Sequence, residues 1–137
     1  MPARLALVLA ILALTAGSAG AQERQWSLDA GGEDAYLIFG VPETDDVGVS
    51  LWCPVQSGEI SIFVPEPEGT VKSGEAVTMV IKAGDVTAKL AAKSDISAET
   101  GAATVEAKTA ADDSLFKALQ EADRFYVSVG ANEAIFP

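Results

Sequence analysis

The chain contains no histidine and a single cysteine, Cys53. Without histidine there is no Ser-His-Asp or Cys-His nucleophile system and no imidazole-ligated metal. One cysteine makes neither a thiolate zinc cluster nor a C-x-x-C redox pair. The chemistry left open is hydrolysis by two carboxylates and calcium binding through oxygen ligands. Positive charge is also scarce, with 9 Lys and Arg against 20 Asp and Glu, a net charge of −11 at pH 7. Such a surface repels nucleic acid and anionic lipid, keeps the chain soluble and steers a cationic partner toward it. Gly-rich phosphate loops, basic patches, internal repeats and low-complexity segments are missing too. No apolar run is long enough to span a membrane. The longest, Leu5 to Leu14, is about half of the roughly 20 residues a spanning helix needs.

That run sits in a pattern of its own. Arg4 precedes it, the small-residue tail TAGSAGA follows it, and Ala19-Gly20-Ala21 offers an A-x-A cleavage site. Met1 to Ala21 therefore reads as a secretory signal peptide, which predicts a periplasmic or secreted protein beginning at Gln22. No cysteine follows the cleavage site, so lipid anchoring there is not expected. Residues 22–137 are then a single β-rich domain, large enough to bury a core without metals or disulfides. Arg4 leaves with the leader, so 8 basic and 20 acidic residues remain and the net charge becomes −12.

Period-two alternation dominates the mature chain. Trp26 and Leu28 open a short first strand, and Asp29 to Gly32 turns. Ala35 to Val41 is apolar on both faces and reads as a central strand. Pro42 to Asp46 is an acidic turn. Val47, Val49, Leu51 and Cys53 face inward, and Pro54 ends the strand. Gln56-Ser57-Gly58 links it to Ile60, Ile62 and Val64 as a hairpin. Pro65 to Gly69 reads as an extended loop leaving the sheet, because proline cannot donate to a ladder. A second hairpin runs from Val77 through the Gly84-Asp85 turn to Leu90. Lys93 to Gly101 reads as a polar linker, and Ala103, Val105 and Ala107 resume the alternation. At Asp112-Asp113 the period becomes helical, with Leu115, Phe116, Leu119 and Ala122 on one face and an Asp as N-cap. Phe125, Val127 and Val129 restart a strand, Ala131-Asn132-Glu133 turns, and Ile135-Phe136 pairs briefly. The expected fold is mainly β: a small antiparallel sandwich or barrel of about eight short strands with one short helix in the C-terminal half.

Four groups of residues are candidates for function. Cys53 is an odd cysteine in an exported chain, open to an intermolecular disulfide, a free reactive thiol or an inert buried role. No Lys or Arg adjoins it in sequence to lower its pKa. The apolar pair Ile135-Phe136 leads to Pro137 with no polar tail, so a segment beyond Pro137 could carry a partner cysteine. Glu43, Asp45 and Asp46, with Glu33 and Asp34 before the preceding strand, supply clustered oxygens. Their spacing matches no EF-hand, and a solvated turn accounts for them. Trp52 and Phe63 lie on the face opposite Leu51 and Ile62. Exposed, they make an aromatic patch for a partner. Covered by the helix, they are core, and the helix needs apolar surface to lie on. Glu66 and Glu68 could do acid–base work, but no apolar neighbourhood in the sequence raises their pKa.

The segments VPETDDVGVSLWC (Val41 to Cys53) and DDSLFKALQEADRFYVSV (Asp112 to Val129) resemble small secreted proteins of Gram-negative bacteria. They are also similar to accessory proteins of type VI secretion of the VasI kind, at Leu51, Cys53, Phe116, Leu119 and Phe125 to Val129. The resemblance implies location and fold and carries over no functional residue.

Together these features predict a periplasmic or secreted, non-enzymatic binding or accessory domain. It would act by protein–protein contact, through a sheet edge or the Trp52/Phe63 face, on an envelope protein with a basic surface. No catalytic set, cofactor or metal is expected, nor any nucleic-acid partner or membrane span. Two other classes stay open: an envelope carrier with an apolar cavity for a small ligand, and a small carboxylate hydrolase.

Overall fold

A computed structural model describes residues 22–66 and 71–137. These form one antiparallel sheet of nine strands, curled into a half barrel, with a single short helix among the described residues. The strands are β1 (Gln25–Gly31), β2 (Asp34–Gly40), β3 (Val47–Pro54), β4 (Glu59–Glu66), β5 (Ala76–Ala83), β6 (Val86–Ile96), β7 (Ala103–Ala110), β8 (Phe125–Val129) and β9 (Asn132–Phe136), and α1 is Ser114–Glu121. Their order across the sheet is β1-β2-β3-β4-β7-β6-β5-β8-β9. The mainly β fold of the sequence reading holds, and its sandwich-or-barrel alternative resolves to a single curled sheet. The ninth strand is β9, which begins at Asn132 because the turn falls at Gly130-Ala131 instead.

Two meanders build the sheet. β1 to β4 run as successive hairpins, and β5 to β7 form a second set that docks through β7 on β4 in full register, from Glu59 opposite Ala110 to Glu66 opposite Ala103. β8 then pairs with the other edge of β5. The chain must therefore travel from β7 past β6 and β5, three strand spacings or roughly 14 Å. The eight residues of α1 rise ~12 Å, and the helix crosses that gap on the concave face. Asp113 starts it: its Oδ1 accepts the Leu115 N–H at 2.9 Å, and its Oδ2 accepts the Thr109 hydroxyl at 3.2 Å. Leu115 is fully buried beneath the helix. A helix this short has no stability of its own and persists by packing on the sheet.

Two segments expected outside the sheet are strands. Pro65 and Glu66 stay in β4, opposite Thr104 and Ala103. Lys93 to Ile96 prolong β6, paired with Glu106 to Ala103 of β7. Polar composition hid this second extension, because its one inward polar side chain is used. Ser94 is buried, 3 % exposed. Its hydroxyl donates to the Lys72 carbonyl and accepts the Glu75 N–H at 3.1 Å, tying the approach to β5 onto β6. Pro67, Glu68 and Gly69 of the expected loop lie outside the described residues.

The concave face holds the core, including Val49, Ile62, Val64, Met79, Ile81, Val105, Leu115 and Val127. The two ends of the sheet are drawn together there by four rings. Trp26 and Phe39 come from one end, Phe125 and Phe136 from the other, with successive centroids 5.2 to 6.2 Å apart. Offset and edge-on aromatic pairs at these separations are favourable beyond their burial. A bulge at Phe39/Gly40 makes room for the closure. It turns Gly48 inward, where a Cβ would lie 2.9 Å from the Phe136 ring.

Candidate functional site

The half barrel does not fill itself. Between the concave face of β1 to β4 and the inner side of α1 lies a cavity of about 510 Å³. Strand alternation lines it: Leu28 on β1, Ala35 and Leu37 on β2, Leu51 and Cys53 on β3, Ile60 and Ile62 on β4. Phe116 and Leu119 of α1 form the opposite wall, and the Trp26 and Phe125 rings close one end. Among the described lining residues only Trp26, Cys53 and Gln120 carry polar side-chain atoms, and the Trp26 indole N–H donates to the Pro137 backbone oxygen at 3.0 Å while the Cys53 thiol faces the Pro54 carbonyl. A site with so few hydrogen-bonding groups holds water poorly and suits an apolar molecule. Its volume lies within the range of small-molecule pockets.

Its mouth is marked by the lining residues that remain exposed: Leu28, which is 69 % accessible, with Ala111, Gln120 and Pro137. β1 and α1 therefore flank the opening. Leu28 is a large apolar side chain left in water at an entrance, where an apolar ligand would cover it.

Cys53 turns into this cavity and is half-buried, its thiol 3.9 Å from the Pro54 carbonyl. Trp52 and Phe63 sit on the opposite, convex face. α1 packs on the concave face, so of the two alternatives for Trp52 and Phe63 the one in which the helix covers them does not hold. Both are half-buried among their sheet neighbours. Trp52 stacks on Tyr36, with centroids 6.2 Å apart and planes 10° apart. Its buried Nε1 has no hydrogen-bond partner among the described residues.

The acidic turn is an ion-paired turn. Asp46 receives the Arg24 guanidinium, with Nε 2.9 Å from Oδ1, and its backbone carbonyl accepts the Val41 N–H at 2.8 Å. Glu43 takes the left-handed conformation at φ 60°. Glu33 and Asp34 lie at the far end of β2 from this turn, and no group of three potential metal ligands converges among the described residues.

Glu66 closes a second, smaller cavity of about 210 Å³ between the end of β4 and β9. Its carboxylate accepts the Asn132 amide at 3.0 Å. Burial pushes its pKa above the ordinary 4.5, and the Asn132 hydrogen bond opposes that rise. Glu133 borders the same cavity, but its carboxylate accepts the Ser128 hydroxyl at 3.1 Å. Glu68 lies outside the described residues.

The sequence reading leaves an apolar cavity open as one alternative but does not place it or name its lining. Alternation assigns Leu51, Cys53, Ile60 and Ile62 of its wall to one side of their strands, and only the curl of the sheet shows that this face and α1 stand apart. The signal available in the sequence is Ala35 to Val41, apolar on both faces, which supplies Ala35 and Leu37 to the wall. No family model matches the chain, and neither a curated protein nor a solved structure is detectably similar to it.

Proposed function

We propose that the chain is an exported, non-enzymatic binding domain that holds a small apolar molecule in the cavity between β1 to β4 and α1. The carrying observation is the size and chemistry of that space: about 510 Å³, walled by aliphatic and aromatic side chains. The exposed Leu28 at the mouth supports the same reading. Export is supported by the signal-like composition of Met1 to Ala21 and by the resemblance to small secreted proteins. The test is titration with an uncharged apolar fluorophore such as N-phenylnaphthylamine. Emission should rise on binding the wild type and stay flat with Ala35→Trp, which puts an indole into the space. A wild type that gives no enhancement overturns the reading.

A second reading keeps the protein–protein role. The Tyr36–Trp52 stack and Phe63 form an aromatic strip on the convex face that α1 leaves uncovered. On this reading Phe63→Ser abolishes cross-linking to an envelope partner while the circular dichroism spectrum is unchanged. Retained cross-linking removes the strip from consideration.

A further inference from the structure

We infer that the cavity takes a cationic amphiphile, an apolar body carrying an ammonium or guanidinium head that stays at the mouth. This rests on the cavity reading above and adds the charge of the ligand. Three connections meet on the Ala111 side of the mouth. The Val55 N–H donates to the Glu33 carbonyl at 2.7 Å, joining the β1–β2 and β3–β4 turns. The Ala111 N–H donates to the Gly58 carbonyl at 2.8 Å, joining the β3–β4 turn to the lead-in of α1. Glu33, Asp34, Glu59, Asp112 and Asp113 lie on or beside these connections, and Glu121 and Asp123 follow at the other end of the helix. Four residues of the cavity wall have a carboxylate as chain neighbour: Ala35 beside Asp34, Ile60 beside Glu59, Ala111 beside Asp112 and Gln120 beside Glu121.

Positive charge is placed elsewhere. Lys82, Lys89, Lys93 and Lys108 alternate with buried or half-buried neighbours on β5 to β7, so strand parity turns them to the convex face. Among the described residues on and beside α1, Lys117 and Arg124 are the basic ones, and Lys117 stands 3.9 Å from Glu121. Asp34 and Glu59 alternate away from the inward-facing Ala35 and Ile60, so they act through their field at the rim rather than by touching the ligand. Among the described residues lining the interior there is no cation to hold an anionic head. A fatty-acid-like ligand would place its carboxylate against a ring of like charge, whereas a cation there is attracted. Because the head remains in water, the preference is moderate and sensitive to salt.

The experiment compares ligands of one chain length: decyltrimethylammonium, decyl maltoside and decyl sulfate. Each is titrated calorimetrically below its micellar concentration, at low salt and at about 0.5 M NaCl. The cation should bind roughly tenfold or more tighter than the anion at low salt, with the neutral ligand between them and the gap narrowing in high salt. Glu33→Gln with Asp112→Asn and Glu121→Gln should shrink that gap and leave the neutral ligand's affinity unchanged. Equal affinity for all three ligands overturns the charge assignment and leaves the cavity reading standing. Cation binding that survives Ala35→Trp also overturns it, by placing the head group on the acidic surface without the cavity. No binding by any of the three removes both readings.

Discussion

Trp26, in the first strand, donates its indole N–H to the backbone oxygen of Pro137, 3.0 Å away and 111 positions later in the chain. This bond, with the rings of Phe39, Phe125 and Phe136, joins two sheet ends that share no ladder among the described residues. It also fixes one end of the cavity, because Trp26 and Pro137 are both part of its lining. Trp26→Phe keeps an aromatic ring and removes the donor. We expect a loss of about 1 kcal/mol in urea unfolding, together with faster exchange of the β1 and β9 amides. Unchanged exchange in β9 would mean that the rings alone hold the ends together.

Gly40 ends β2 at the bulge, where a Cβ would lie 2.5 Å from the Asp46 carbonyl oxygen. That oxygen is fixed by the Val41 N–H, so the backbone itself must move. Gly40→Ala should cost about 2 kcal/mol or more. Gly58→Ala is a control of a different kind, since nothing lies within 4 Å of its Cβ and only its φ of +68° is strained. The comparison is by denaturant midpoint, and a Gly40 variant as stable as wild type would show that the turn yields easily.

Asp113→Ala removes the N-cap of α1 and should destabilise the protein by about 1 kcal/mol. Asp113→Asn keeps an acceptor and should recover most of the loss. Since α1 supplies Phe116 and Leu119 to the cavity wall, the Ala variant should also weaken binding of N-phenylnaphthylamine. Lowered stability with unchanged binding would detach the helix cap from the site.

Glu66 gives the fold a pH dependence of definite sign. Its folded pKa is raised above 4.5 by burial, so near and above that pH the folded state holds the proton longer than the unfolded one. Its contribution is fully present below the unfolded pKa and is lost as pH rises through the folded pKa. Glu66→Gln keeps an acceptor for Asn132 and cannot ionise. The variant should be at least as stable as wild type at neutral pH, and its stability should fall less between pH 4 and 7. A steeper fall in the variant would reverse the assignment.

Cys53 reports on the cavity directly. Its thiol lines the wall, so an apolar ligand should slow its labelling by N-ethylmaleimide. Labelling at the same rate with and without bound fluorophore would place the ligand elsewhere.

The alternation of Val49, Leu51 and Cys53, and of Ile60, Ile62 and Val64, was enough to define the antiparallel hairpins and their inward faces. A strand's periodicity is a local property of the chain. The helix was equally legible, because the change of period at Asp113 coincides with a capping side chain. The strand extensions at Pro65-Glu66 and at Lys93 to Ile96 were not legible, because their partners lie in β7 and a ladder is made by both strands. The side of the sheet on which α1 lies was hidden for the same reason. Periodicity supplies α1 with an apolar face but does not say which face of the sheet receives it, so both an exposed and a helix-covered Trp52 and Phe63 are compatible with the sequence.

By itself, then, the sequence determined the mainly β class, the inward and outward parity of the strands that alternate, such as Val47 to Cys53 and Ile60 to Val64, the capped helix and the acidic charge. Each of these is set by residues close together in the chain. Tertiary structure decided that the sheet curls into a half barrel, that Trp26 meets Pro137, and that the inward faces of β1 to β4 stand apart from α1 around an apolar cavity. Those depend on twist, bulges and packing summed over nine strands, and no local pattern encodes whether two apolar surfaces finally touch.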